Sequence, residues 1–262
     1  MDEAYFTTID GRRFLPTDHA RGPWDAHSCH AGPPTALMVR AMEQLVPDQR
    51  LTRVTVELMR PIPMSGFRVQ ADVRRPGRSV THTEAEIYDD DRFYARAYGM
   101  HLRRLDYLEV STAPVDSPVF AQSQPGEFPI RIAAHELPGF NSTIEVRFDP
   151  AGSQGSGGPT TMWMRTKVAI LAGEEASPFQ QICPLADCGN GLSYNDYLDR
   201  VLFLNTDLTV SLHRDPVGDW FCSRSISHWE PTGIGLADAE LFDIEGSVGR
   251  ATQNLILNPA RS

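Results

Sequence analysis

The sequence is short of basic residues and contains no long apolar run. Its 262 residues include 24 Lys and Arg against 34 Asp and Glu, which gives a formal net charge of −10 at pH 7. Proteins that bind nucleic acid neutralise its phosphates with Lys and Arg, so this balance argues against a nucleic-acid partner. A helix that spans a bilayer needs about 18 or more apolar residues in a row. No such run occurs, so no membrane span is predicted.

Cysteine is also sparse, and its spacing forms no pairs. The chain has four cysteines, none of them in a C-x-x-C arrangement: Cys29, Cys183, Cys188 and Cys222. We interpret them as reduced thiols and expect a cytoplasmic protein. The first residues, MDEAYFTTIDGRR, lack the basic start and apolar stretch of a signal peptide, which agrees with that expectation.

Motifs for metals, nucleotides and serine nucleophiles are missing too. In HSCH (27–30), the His and Cys residues are too close together to form a tetrahedral metal site alone, and no matching pair lies elsewhere. Neither a metal nor a cofactor is therefore predicted. The stretch GSQGSGG (152–158) is neither a P-loop nor a G-x-G-x-x-G followed by a helix. No G-x-S-x-G occurs, so the serine nucleophile of α/β-hydrolases is unsupported.

An internal repeat is the most informative feature that is present. At one constant offset, which aligns Thr55 with Thr209, VTVELMRPIPMSGF (54–67) lies over LTVSLHRDPVGDWF (208–221). The same offset continues without a gap and aligns TEAEIYDDDRFYARA with ADAELFDIEGSVGRA further along. A gapless register over roughly 50 residues, with the apolar positions also in phase, predicts a duplication.

Each half shows the alternation of apolar and polar residues that is typical of half-buried strands. In FLNTDLTVSLHR (203–214), Thr206 and Leu208 fall on one face and Asn205 falls on the other. Together with the turn residues between segments, this alternation predicts four strands in each half. They are 51–60, 67–75, 79–88 and 92–104, then 203–214, 219–229, 234–243 and 248–257.

One helical pattern precedes each set of strands. GPPTALMVRAMEQLV (32–46) begins with two prolines, which a first helical turn tolerates, and residues 184–199 occupy the equivalent place. We therefore predict an α+β fold of two tandem repeats, each a long helix wrapped by a curved antiparallel sheet. The predicted domains are 1–105 and 131–262, joined by a Pro-, Ser- and Gln-rich linker at 106–130.

This arrangement resembles the hotdog fold in its double-hotdog form, and the local motifs resemble acyl-CoA thioesterases of the thioesterase II type. The motifs are HAGPPTAL (30–37), ADCGNGLS (186–193), FLNTDLTVSLHR (203–214) and GSVGRATQNLIL (246–257). The resemblance covers most of the chain apart from the linker. It implies hydrolysis of acyl-CoA thioesters in lipid metabolism, an acyl-CoA substrate and a homodimer.

The resemblance also implies the catalytic residues. In that family a helix-borne Asp, a Thr or Ser on the following strand and a Gln on the last strand hold the attacking water. These positions match Asp187, Asn205 and Gln253. Asn205 departs from the pattern because its amide can hydrogen-bond a water but it has no hydroxyl. The repeat offset aligns the three with Pro33, Leu51 and Gly99, so only the second half carries the polar set.

Three further residues are expected near the substrate. His30 and Gly32 precede and begin the first helix, and Gly189 would let a substrate approach the backbone closely. Asp187 also has an ordinary interpretation as the N-cap of its helix. At the mouth of a helix, a carboxylate base and nearby amides suit the attack of water on a thioester.

Two other functions remain open at this stage. The Asn205 departure fits a non-catalytic acyl-CoA-binding protein that keeps the fold without the chemistry. The other is a hotdog enoyl-CoA hydratase, whose chemistry usually relies on an Asp/His pair. No His stands beside Asp187 in the equivalent motif, which disfavours the hydratase.

Overall fold

The computed structural model describes residues 3–105, 108–129, 137–150, 157–196 and 200–260. Within them the chain is an α+β fold in which the strands join in one mixed sheet. In the first half the strands are β1 (Ala4–Thr8), β2 (Arg13–Pro16), β3 (Gln49–Leu58), β4 (Phe67–Arg75), β5 (Val80–Tyr88) and β6 (Phe93–Arg103). In the second half they are β7 (Gln124–Gly126), β8 (Ile144–Phe148), β9 (Thr160–Thr166), β10 (Ala169–Leu171), β11 (Val201–Asn205), β12 (Asp207–Leu212), β13 (Phe221–Trp229), β14 (Ile234–Asp243) and β15 (Gly246–Pro259).

The central strands of the two halves have the same order when they are counted outward from the middle of the sheet. The first half runs β3-β6-β5-β4, and the second half runs β12-β15-β14-β13, so each strand lies in the place of the one with which the sequence offset aligns it. The strands β3 and β12 meet antiparallel at the centre, where Thr55 pairs with Thr209 and the two hydroxyls lie 3.0 Å apart. Alternation and turn residues therefore predicted the eight main strands well, with small shifts at their ends.

Strand register repeats between the halves as well. Thr83 pairs with Gly99 across β5 and β6, and Ala237 pairs with Gln253 across β14 and β15. These are the pairs that the sequence offset aligns with each other. A polar side chain at position 253 thus lies at a place where the first half has only a glycine.

The strand predicted over 203–214 is broken at Thr206 into β11 and β12. Asn205 pairs with Leu255, and Val210 pairs with Ala251, both of them buried positions on β15. Because paired residues of antiparallel strands share a face, Asn205 points to the interior. Its predicted placement on the face opposite Leu208 was wrong, since the break at Thr206 resets the alternation.

The first helix, α1 (Gly32–Leu45), is as predicted. Pro33 and Pro34 lie in its first turn, and its inner residues are fully buried against the sheet. No helix among the described residues is long and apolar enough to cross a membrane.

The helix predicted over 184–199 was wrong at both ends. The chain instead forms α2 (Pro178–Ala186), nine residues long, and α3 (Gly189–Leu192), four residues long. The start lies earlier because Ser177 caps α2 by accepting from the Gln180 amide at 3.2 Å, and Pro178 follows it. Residues 197–199 of the prediction lie outside the described residues. The second half therefore has no single long helix in the described part of the chain.

The predicted linker, 106–130, contains a strand. Within it, β7 pairs with β8 and forms one edge of the sheet. The predicted boundary between residues 130 and 131 lies outside the described residues, so the domain limits stay a prediction.

The helices α1 and α2 meet at Gly32. A Cβ at this position would lie 2.7 Å from Pro184 Cα and 3.0 Å from the Cys183 carbonyl oxygen, both of them backbone atoms that cannot easily move. The contact brings the start of one helix against the end of the other.

Replacing Gly32 with Ala is expected to destabilise the protein by about 1–3 kcal/mol, because the added methyl overpacks a backbone contact. Gly189→Ala is the matched control, since the nearest atom to its Cβ would be a side-chain oxygen, Gln253 Oε1, at 3.3 Å. Urea denaturation followed by circular dichroism measures both variants. A loss of stability at Gly32 no larger than that at Gly189 would refute the tight helix contact.

Candidate active site

Asp187 lies at the junction between α2 and α3 rather than at a helix start. It is the C-terminal cap residue of α2, and Cys188 occupies the N-cap position of α3. The interpretation of Asp187 as the N-cap of its own helix is therefore wrong. The side chain is buried, with 4% of its surface exposed.

Two amide side chains hold one oxygen of this carboxylate. Asn205 Nδ2 donates to Asp187 Oδ1 at 3.0 Å, and Gln253 Nε2 donates to the same atom at 2.9 Å. The three residues implied by the family resemblance are therefore in direct contact. They come from the α2–α3 junction, from the end of β11 and from the middle of β15.

The other carboxylate oxygen faces the first half of the chain. His30 Nδ1 lies 3.2 Å from Asp187 Oδ2 and accepts from the Gly32 backbone amide at 3.3 Å, and the same amide acts to lower the pKa of the Asp187 carboxyl. The start of α1 thus supplies a positive helix end to a carboxylate from the second half. The absence of a His beside Asp187 in the sequence motif was misleading, because tertiary packing brings His30 there.

Burial controls the protonation of both groups. Burial raises the pKa of the Asp187 carboxyl to about 7, although the hydrogen bonds from Asn205 and Gln253 act to lower it. Burial likewise lowers the pKa of His30 to about 3, so its ring is neutral at pH 7. The contact between them is consequently not an ion pair: Nδ1 of the neutral ring accepts from the Gly32 amide, so the protonated carboxyl of Asp187 donates to the same nitrogen. The imidazole also stacks on Phe140, with ring centroids 3.9 Å apart.

Gln253 links the carboxylate to the next loop. Its Nε2 reaches both Oδ1 and the backbone oxygen of Asp187, and its Oε1 accepts from the Asn190 backbone amide at 3.0 Å. The side chain is 1% exposed. Because every polar atom of its amide is used, Gln253 fixes the position of Asp187 relative to α3.

A cavity of about 500 Å³ opens beside this cluster. Its wall comes from both halves of the chain and is largely apolar, which suits a small-molecule site. The apolar lining residues include Trp24, Leu58, Met59, Ile62, Phe128, Leu204 and Ile256. The polar ones include His30, Asp187, Asn190 and Asn205.

The two glycines predicted to contact substrate lie behind this wall. Gly32 packs against Pro184, and Gly189 packs near Gln253, and neither is part of the cavity lining. Gly191, by contrast, lines it. A substrate contact at Gly32 or Gly189 stays a prediction, and the structure gives both of them a packing role.

Sequence reasoning missed two contributors to this cluster. Asn190 lines the cavity, and Phe140 supports the His30 ring. Asn190 lies inside the ADCGNGLS motif, so its closeness to Asp187 was a usable signal. No local signal connects Phe140 to the site. Within the described residues, no group of three or more His, Cys, Asp or Glu side chains could hold a metal ion.

Comparison with known proteins gives family and fold. A family model described as acyl-CoA thioesterase C-terminal domain matches residues 114–257, and one described as acyl-CoA thioesterase N-terminal domain matches residues 20–102. No curated protein matches the chain significantly.

Solved structures with the same fold span nearly the whole chain. A putative thioesterase II from Thermobifida fusca has a TM-score of 0.74 at 16% identity, covering 98% of each chain. A conserved protein of unknown function with a hot dog fold from Alicyclobacillus acidocaldarius has a TM-score of 0.72 at 18% identity, covering 98% of this chain and 97% of that chain. Acyl-CoA thioesterase II TesB2 from Mycobacterium marinum has a TM-score of 0.66 at 13% identity, covering 98% and 96%.

The raised pKa of Asp187 makes stability depend on pH. The folded protein keeps the proton up to about pH 7, whereas the ordinary value in an unfolded chain is 3.8. The unfolded state binds fewer protons in this window, so stability falls as pH rises from about 4 to about 7. Asp187→Asn removes the charge and is expected to stabilise the protein above pH 7 by up to about 4 kcal/mol.

Urea denaturation at a series of pH values measures this effect. Asp219→Asn is the control, because its side chain is 65% exposed and its removal leaves the buried cluster intact. Stability curves of the wild type and Asp187→Asn that run parallel from pH 4 to pH 8 would show that Asp187 is not a proton-holding group.

Proposed function

Because the chain belongs to the acyl-CoA thioesterase family, we propose that its Asp187 is the general base that activates water for thioester hydrolysis. At family level the activity is the cleavage of an acyl-CoA into a free acid and CoA. The proposal adds the residues that perform it. The observation that carries it is a carboxylate of pKa about 7 in the wall of an apolar cavity, hydrogen-bonded by Asn205 and Gln253.

Asn205 supplies the second contact to the water. Its Nδ2 donates to Asp187 Oδ1 at 3.0 Å and to the Asp207 backbone oxygen at 3.3 Å. Its side-chain oxygen has no partner among the described residues, and Asn205 lines the cavity. A water there donates one O–H to the Asp187 carboxylate and the other to Asn205 Oδ1, which leaves a lone pair for attack.

The reaction then follows from that geometry. The water oxygen forms a bond to the thioester carbon while Asp187 takes its proton, and the carbonyl electron pair moves onto the carbonyl oxygen. As the carbonyl re-forms, the C–S bond breaks, and the departing sulfur takes the proton back from Asp187. A base with a pKa near 7 can accept and return this proton at neutral pH.

Two finer predictions accompany the activity. We infer that the two halves are tandem copies, supported by the common strand order and by the matching Thr83–Gly99 and Ala237–Gln253 pairs. The copy that kept Asp187, Asn205 and Gln253 is the one that carries the chemistry. A cytoplasmic location, a role in lipid metabolism and a homodimer stay predictions.

A second candidate is enoyl-CoA hydration, favoured by the 3.2 Å contact between His30 Nδ1 and Asp187 Oδ2. An acid/base pair of this kind could deliver water across a double bond. Spectrophotometric assay of enoyl-CoA consumption decides between the two. Loss of the enoyl absorbance without thiol release would establish the hydratase, and thiol release alone would exclude it.

The central test is thiol release from a panel of acyl-CoAs of different chain lengths. Asp187→Asn is expected to lower kcat by about 10²–10⁴-fold, because it removes the base and keeps the hydrogen-bond acceptor. In the wild type, kcat/KM should rise with pH and level off above about 7. Asp219→Asn serves as the exposed control. Equal rates in the wild type and Asp187→Asn would refute the assignment.

Asn205 separates catalysis from simple binding. Asn205→Thr restores the hydroxyl of the family pattern and is expected to keep kcat within about tenfold, whereas Asn205→Ala should lower it about 10–100-fold. The same thiol assay measures both. If calorimetry finds tight acyl-CoA binding while neither wild type nor Asn205→Thr releases thiol, the chain is a binding protein and the proposed function fails.

A further inference from the structure

Asn190 has a side-chain donor that the protein does not use. The residue lies on α3, lines the cavity and is 8% exposed. Its backbone amide donates to Gln253 Oε1 at 3.0 Å, and its Oδ1 accepts from the Gly191 amide at 2.7 Å. These two bonds leave Nδ2 without an acceptor among the described residues.

The orientation of this amide is fixed by its neighbour. The Gly191 N–H is a donor, so the side-chain atom that faces it must be the oxygen, and Nδ2 points the other way. This nitrogen is not one of the fully buried atoms that lack a partner, so it is open to the cavity, where a bound molecule can accept its hydrogen bond. A donor that faces a cavity and that the protein itself leaves unused calls for an explanation.

The position of Asn190 relative to the base supplies that explanation. A single side chain, Gln253, donates to Asp187 Oδ1 and accepts from the Asn190 backbone amide. The side-chain amide of Gln253 thus fixes both Asp187, the proposed base, and Asn190, the residue with the free donor. Hydrolysis needs a donor near the base, because negative charge develops on the carbonyl oxygen when water adds.

We propose that Asn190 Nδ2 binds the carbonyl oxygen of the thioester and stabilises its negative charge, an assignment that rests on the proposed thioesterase function. When the water oxygen bonds to the carbonyl carbon, the carbonyl electron pair moves onto the oxygen that Nδ2 contacts. When the C–S bond breaks, that pair returns to re-form the carbonyl. Asn190 keeps its own protons throughout, so it acts as a neutral donor and needs no change of charge.

Asn190→Asp is the sharpest variant. One carboxylate oxygen can still accept from the Gly191 amide, so the α3 contact is kept, while the free donor is replaced by an acceptor. We expect kcat to fall about 10²–10³-fold, with KM changed far less. Asn258→Asp is the matched control, because it adds the same charge at an exposed position of β15. Thermal melting of both variants reports on folding.

Binding of two unreactive CoA analogues gives a readout that a merely structural role would not move. One is a ketone in which CH₂ replaces sulfur, so the carbonyl is retained. The other is a thioether in which CH₂ replaces the carbonyl. In the wild type the ketone should bind more tightly than a thioether of equal chain length. Asn190→Asp should weaken binding of the ketone and leave the affinity for the thioether unchanged, as measured by calorimetry. Asn190→Ser keeps a hydrogen-bond donor, so it should lose less affinity for the ketone than Asn190→Asp does.

The outcomes separate this proposal from the one on which it rests. Wild-type kcat in a folded Asn190→Asp protein, or equal weakening of both analogues, would overturn the role of Asn190 and leave Asp187 as the base. No thiol release by the wild type would overturn the proposed function. In that case, weaker binding of the ketone alone in Asn190→Asp would still support Asn190 as the carbonyl-binding residue. If ketone binding did not weaken selectively, that role of Asn190 would be overturned as well.

Discussion

The burial of one carboxylate, that of Asp187, is the constraint on which the rest of the site depends. An ionised carboxylate inside a protein is costly unless hydrogen bonds replace its water. Here the replacement comes from both halves of the chain: two amide side chains from β11 and β15, and His30 with the Gly32 amide from the start of α1. The close packing of α1 on α2, which only a glycine at position 32 permits, is what brings these groups together.

A second buried aspartate shows what the choice of partners does. Asp243 is also inaccessible, but Arg214 donates to both of its oxygens, at 2.6 and 2.5 Å. Burial acts to raise the pKa of Asp243, yet the hydrogen bonds of Arg214 and two backbone amides hold it below its ordinary value. Asp187 has only neutral partners, so burial prevails and its pKa rises. Asp243 therefore stays charged and structural, whereas Asp187 can exchange a proton near neutral pH.

The sequence predicted the features that depend on local patterns. Alternation located the eight main strands, although it missed β1, β2 and the strands β7 to β10. The constant offset aligned strand pairs that have the same register, Thr83–Gly99 and Ala237–Gln253. The family motifs named Asp187, Asn205 and Gln253, and the Asp187 carboxylate contacts both of the other side chains. One failure was local: Ser177 caps the second helix and Pro178 follows it, which is a start signal that lies in the sequence itself. The other failures depend on the sheet and on packing. The break at Thr206 turned Asn205 inward. His30 meets Asp187 because the two helices pack end against start, which no local spacing encodes.

One fold can host many activities, so the chemistry depends on particular side chains, and those that we propose lie in the second half of the chain. In the first half, Gly99 fills the place of Gln253, and the Thr83 hydroxyl, Met42 and Leu51 would crowd any larger residue there. The space that the Gln253 side chain occupies in the second half is thus filled by neighbouring side chains in the first. One half holds the buried carboxylate, and the other completes the cavity and supplies His30.

The most direct measurement is the pKa of the Asp187 carboxyl itself, read from the carboxyl ¹³C resonance of labelled protein and assigned by its absence in Asp187→Asn. We predict a titration centred near pH 7. A titration near the ordinary value of 3.8 would mean that Asp187 is solvated or paired with a cation, and it would contradict the role of Asp187 as a base with a raised pKa.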